Sequence, residues 1–410
     1  MLSNIFFLLF LTLTVQARKW IVPGALWYDT TGAKIDAHGA GMWKVCSTYY
    51  LTGSSYASSM QPRTYSSTDL TNWVNRGIQF PIPNMFRPKM FYTGDRYWIF
   101  GQVNRTVQSL WSHTPIGGWH NGTDMLDPHN STTNFGITDQ GVFADTDGKV
   151  YYLASADHNN LQVNIIRPNG TVGEIIGDIS GAYEAPGCFK VDGTYFIVTS
   201  NKTAYAPNPD KVFWATDLHG PWNGPQDIAP ESTNTYNSQN TYDLVVEGSE
   251  RTTYVYTGDE WTIEGDPRSN YVWLPMSVDG TNVTLQYHPI WRVDVRTGEI
   301  STPEPGRWYK APRASPCNSP VTFTNVKGTG AMRWVSFYYT VSDPTAGDAQ
   351  ISINGAAAAN ISTYNSRAGY SEVVPVGLKL KRGRNSIEVS CTGYSNFTVS
   401  LKGIEVHDDY

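Results

Sequence analysis

Hydrophobic positions along the first three hundred residues come in short paired runs, not at helical spacing. An apolar, β-rich run is followed by a turn and then by a run carrying tyrosine and other aromatics. The pattern occupies residues 42–50, 90–98, 142–152, 188–196 and, more loosely, 244–256. Its anchor tyrosines, Tyr49, Tyr97, Tyr151, Tyr195 and Tyr254, lie 48, 54, 44 and 59 residues apart. Each copy reads as a β-hairpin, several around an Asp-Gly or similar turn. Repeats of about 40–60 residues with about four short strands each predict propeller blades stacked face to face around an axis. The expected fold is therefore all-β, a five-bladed β-propeller over residues 18–302. Unrelated hairpins in a sandwich are the alternative.

The pattern changes after residue 302. Pro303, Pro305, Pro312 and Pro316 fall in a stretch with few apolar runs, which reads as a linker over 303–316. Short alternating strands follow and predict a small β-sandwich over 317–410. At the other end, residues 1–17 hold an apolar run that closes on Val15-Gln16-Ala17. Small residues at the last and third-last positions fit a signal-peptidase site, and the run is too short to span a membrane.

Composition narrows the partners. With 30 basic and 36 acidic residues the formal charge is −6, and charged residues make up only 16% of the chain against 13% aromatics. Nucleic-acid binding needs a surplus of Lys and Arg, and disorder needs few aromatics and much charge. A nearly neutral, turn-rich surface with 25 Tyr and 14 Trp suits a neutral sugar polymer. Eight Asn-x-Ser/Thr sequons, at Asn104, Asn121, Asn130, Asn169, Asn201, Asn282, Asn360 and Asn396, point with the leader to a secreted glycoprotein. No membrane association is expected, and the protein is expected to be a monomer. Of four cysteines, Cys317 and Cys391 could close a disulfide in the C-terminal region, while Cys46 and Cys188 read as buried thiols. No metal motif is visible, and Asp145-Thr146-Asp147-Gly148 reads as a hairpin turn, not a calcium loop. No cofactor is expected.

In a propeller the innermost strands converge on the axis, so residues just ahead of each hairpin face one shared pocket. Those entrances are Ala37-His38-Gly39, Phe86-Arg87-Pro88-Lys89, Thr138-Asp139-Gln140-Gly141, Glu184-Ala185-Pro186-Gly187 and Ser238-Gln239-Asn240. Together with Ala206-Pro207-Asn208-Pro209, Gly258-Asp259-Glu260-Trp261 and residues 271–275, they resemble glycoside hydrolase family 43, and within it subfamily 24, the exo-acting galactan β-1,3-galactosidases. The resemblance covers roughly residues 25–295. It implies an inverting reaction in which Glu184 is the general acid and Gln239 positions the water. The wider family's blade-one aspartate falls here at Gly39, with Asp36 as a back-up base. Phe86 stands where the subfamily carries a glutamate. Sugar contacts are expected from His38, Phe86, Asp139, Tyr205, Asn208, Trp261 and Trp273. The C-terminal segment resembles a carbohydrate-binding module of family 6 or 35. The expected function is hydrolysis of β-1,3-galactan or arabinogalactan side chains. The alternative is a silent, lectin-like propeller that binds the same polymer, since Phe86 and Gly39 replace carboxylates.

Overall fold

The computed structural model describes residues 19–122, 136–156, 160–262, 265–316, 319–342, 347–363, 369–391, 397–408 and 410. The expected leader, Asn130, Asn396 and Cys317 lie outside these residues. Five four-stranded antiparallel sheets follow in chain order, each a simple meander. Their innermost strands are His38–Val45, Phe86–Tyr92, Ile137–Ala144, Tyr183–Val191 and Gln239–Glu247. Each inner strand packs against the next, and the fifth against the first, which closes the five-bladed ring.

Strand alternation explains why the sequence pattern works. Successive side chains point to opposite faces of a blade, and both faces are covered by neighbours. Tyr152 therefore enters the core between blades 2 and 3 with Phe91, Trp98 and Phe100. Its neighbours Tyr151 and Leu153 enter the core between blades 3 and 4 with Ile197 and Phe213. Phe189 and Phe196 meet Tyr256 and Leu274 between blades 4 and 5. Met42, Tyr49 and Leu51 meet Leu244, Tyr271 and Trp273 between blades 5 and 1.

All five blades are continuous in sequence, so no strand is exchanged where the ring closes. Hydrogen bonds join the ends instead. Ile21 pairs with Trp291, with N–H to O distances of 2.7 and 3.0 Å. The Ala37 amide donates to the Tyr271 hydroxyl at 3.0 Å. Asp259 of blade 5 takes His38 Nδ1 at 3.0 Å and the Gly39 amide.

The C-terminal unit is a β-sandwich of two four-stranded sheets, with Phe337, Tyr339, Ile387, Val389 and Ile404 in its core. The expected linker needs correction. Arg307–Lys310 is an edge strand of this sandwich, with Arg307 opposite Val406 and Lys310 opposite Gly403. Prolines on both sides of a four-residue strand hid it, and proline is tolerated beside an edge strand. Cys391 is disulfide-bonded, although its expected partner Cys317 is not among the described residues. Cys188 is buried as expected, whereas Cys46 is exposed in the tight turn of the first hairpin at φ +54°. Among the described residues, no helix is long and apolar enough to cross a membrane.

Candidate active site

Three of the inner strands slip register at the same place. The slips fall between His38 and Gly41, Phe86 and Lys89, and Glu184 and Gly187. In each, the second residue is left-handed: Gly39 at φ +57°, Arg87 at +48° and Ala185 at +58°. Such a bulge re-aims side chains, here at the funnel end of the blades. His38, Phe86 and Glu184 thus hold equivalent places around the axis.

Arg87 is the hub. Its guanidinium pairs through Nε with Asp139 at 2.8 Å, donates to the Asn240 carbonyl at 3.1 Å and to Gln239 Oε1 at 2.5 Å. Asp139 also accepts the Ala185 amide at 3.0 Å, which fixes a negative charge beside the Glu184 bulge. Glu184 is 9% exposed. Burial first, and the Asp139 charge second, push its carboxyl up to about 7, against the opposing pull of Arg87 and Lys202. At mildly acidic pH it is therefore a protonated carboxyl able to donate to a leaving oxygen.

Gln239 lies directly on this acid. Its Nε2 donates to Glu184 Oε1 at 3.1 Å and to Ser200 Oγ at 2.9 Å. Its Oε1 accepts from Arg87 and from the Trp261 indole at 2.9 Å. Two donors and two lone pairs are the full capacity of an amide. In this structure protein groups take all four hydrogen-bonding places of Gln239, one of them on Glu184, so the expected role at a water requires one of these partners to be exchanged. Beneath it, Asp210 accepts the Asn240 amide at 2.9 Å and the Tyr256 hydroxyl at 2.8 Å. Complete burial raises its pKa to about 8.

An aspartate at Gly39, as in the wider family, would be strained in this site. A Cβ there would sit 2.7 Å from Arg87 Cγ, and the backbone is left-handed. Asp36, the back-up base, is already engaged. Its oxygens accept from Ser55 Oγ at 2.6 Å, Tyr56 N at 2.9 Å and Ala57 N at 3.1 Å, so it shapes a turn.

Other sugar-contact expectations divide. His38 is fully buried and ties blade 1 to blade 5, stacked on Tyr271 at 4.9 Å between ring centres, so it cannot touch sugar. Trp273 is 2% exposed in the core between blades 5 and 1, packed on Trp27 and Trp73. Asn208 is spent on its own loop, accepting from Asn201 N at 2.9 Å and donating to Asn201 O at 2.8 Å and Thr203 Oγ1 at 2.7 Å. Asp139 acts on Glu184 through charge, with both oxygens engaged by the protein. Trp261 does join the site, as do Tyr205 and the unforeseen Tyr56. The hydroxyls of Tyr56 and Tyr205 meet at 3.3 Å, and both rings lie within 5.7 Å of the Trp261 ring. Phe86 is half-buried at its bulge. Arg87 and Asp259 lie within the sequence motifs, but their roles are visible only in the fold, because their partners come from other blades.

Among the described residues, no group of three or more His, Cys, Asp or Glu is placed to hold a metal. Asp145 is paired with Lys190 at 2.9 Å and joins blades 3 and 4.

Comparison with known proteins agrees with this architecture. The structure of an exo-β-1,3-galactanase from Phanerochaete chrysosporium, with galactose, matches 95% of this chain and 100% of its own at 28% identity and a TM-score of 0.85. An exo-β-1,3-galactanase from Clostridium thermocellum shares the fold at 23% identity, with 94% and 99% of the two chains covered and a TM-score of 0.64. Among curated proteins none matches by sequence. The model of glycosyl hydrolases family 43 matches residues 35–268, which span all the blade entrances, more than half of the chain. On that match, with an acid-bearing fourth blade inside it, the chain belongs to glycosyl hydrolases family 43.

Proposed function

We propose that the protein is a secreted exo-acting β-1,3-galactosidase that removes galactose from the ends of β-1,3-galactan or arabinogalactan side chains. The observation that carries this reading is Glu184: a buried carboxyl beside a fixed negative charge, titrating near 7. Similarity to the Phanerochaete exo-β-1,3-galactanase along nearly the whole chain supports the substrate class. In the proposed reaction Glu184 protonates the glycosidic oxygen while water attacks the opposite face of the sugar, with inversion. Gln239 holds the acid in place, and reaches the water only by exchanging one of its present partners when substrate enters. Tyr56 and Tyr205, backed by the buried Trp261 ring, form an aromatic wall suited to the apolar face of a hexose. The C-terminal sandwich is proposed to hold the same polymer, and the protein is proposed to act as a monomer.

A second reading, a propeller that binds β-galactan without cleaving it, is favoured by two observations. Phe86 has no group to accept hydrogen bonds from sugar, and the Gln239 amide is saturated. Incubation with linear β-1,3-galactan, β-1,4-galactan and arabinoxylan tests both. Galactose released as monomer from the first polymer alone supports the hydrolase. Retained binding to it without release supports the second reading. Release from arabinoxylan contradicts both.

A further inference from the structure

A cleft of about 700 Å³ separates the propeller from the sandwich. The propeller side presents Leu26, Tyr28, Arg268 and Asn270, and the sandwich side presents Tyr410 and Asn360. Asn360 belongs to the sequon Asn360-Ile361-Ser362, at the end of the edge strand Ala356–Ser362. Ile361 is 2% exposed in the sandwich core. Strand alternation therefore turns Asn360 outward, and it is an exposed part of the cleft wall.

The lining suits sugar. Leu26 is 47% exposed and offers apolar surface with nothing packed over it. Tyr410, stacked on Trp334 at 5.0 Å, adds an aromatic ring. Asn270 and Arg268 add polar side chains to the propeller wall of the cleft. The volume lies within the range of about 300–1,000 Å³ of pockets that enclose most of a ligand the size of a di- or trisaccharide.

We propose that Asn360 is N-glycosylated and that the first sugars of its glycan occupy this cleft, bridging propeller and sandwich. Tethering makes the contact intramolecular, so individually weak sugar contacts suffice to keep the glycan seated. The proposal rests on the reading that the chain enters the secretory pathway. Asn169 provides the comparison, because its sequon lies in an exposed turn of blade 3.

The test uses the full chain, secreted with its own leader from a eukaryotic host, and mass spectrometry of its glycopeptides. Native protein is then treated with peptide N-glycosidase. The Asn360 glycan is expected to be released at least about tenfold more slowly than that of Asn169, the ratio that ~1.4 kcal/mol of seating energy produces. Denaturation is expected to abolish the difference. Asn360→Gln and Ser362→Ala, two independent ways to remove the sequon, are both expected to speed proteolysis between the domains. Sugar at Asn169 but not at Asn360, or equal native release rates, overturns the proposal alone. Absence of sugar at every sequon overturns the secretory reading and this proposal with it.

Discussion

Asp139→Asn probes the electrostatics of the acid with the least change of shape. In the native site Asp139 is held by Arg87 and by the Ala185 amide, and its charge helps to raise Glu184 to about 7. The amide removes that charge and also releases Arg87 from its ion pair, leaving more positive potential on Glu184. Both changes lower the Glu184 pKa. Loss of one neighbouring like charge is worth about one unit, or ~1.4 kcal/mol. At pH 7 the protonated fraction then falls from about one half to about one tenth, while at pH 5 Glu184 remains ~90% protonated. The expected result is a roughly fivefold loss of kcat/KM on β-1,3-galactan at pH 7, little loss at pH 5, and an alkaline limb moved down by about one unit. An unmoved limb, or an equal loss at both pH values, would refute the assignment of Asp139 as the group that tunes the acid.

Four further expectations follow from named contacts. Gly39→Ala forces a Cβ to within 2.7 Å of Arg87 Cγ in a left-handed backbone; it should lower stability by about 1–3 kcal/mol and displace Arg87, read as a lower Tm with reduced kcat. Asp210 is raised from 3.8 to about 8 by burial, so the folded state holds a proton that the unfolded state releases. Its contribution is full below 3.8 and is lost as pH rises to about 8, at up to ~1.4 kcal/mol per unit; Asp210→Asn should flatten the fall of Tm between pH 5 and 8. Trp273→Phe should lower Tm with KM unchanged, because the ring belongs to the core. Trp261→Phe, which removes the indole donor from Gln239, should instead reduce kcat.

The blade hairpins were legible because both faces of every blade are buried, so paired apolar runs recur wherever a blade does. The place of Glu184 ahead of the fourth hairpin made it a candidate, and its role as acid came only from the family resemblance. Trp261 and Trp273 looked alike in sequence, yet they differ by position. Trp273 lies inside the strand Asn270–Asp279, on the same face as Tyr271 and toward blade 1, whereas Trp261 follows the end of its strand. The role of Gln239 was not legible, since its partners Arg87, Glu184 and Ser200 come from blades 2 and 4. Asn208 looked like a pocket residue because its loop does rim the site, but the Asn201 backbone and the Thr203 hydroxyl consume its side chain. The Arg307–Lys310 strand was hidden because a short edge strand carries too few residues to show alternation.

The central claim is that Glu184 is the proton donor of a working glycosidase, and Glu184→Gln tests it most directly. The glutamine keeps the shape and can still contact Gln239, but it has no acidic proton. Purified protein and variant are incubated with β-1,3-galactan, and galactose release is followed beside binding to the same polymer. The account predicts release by the unaltered protein, a loss of at least about 10²-fold in the variant, and binding retained in both. Equal release by the two proteins would contradict it.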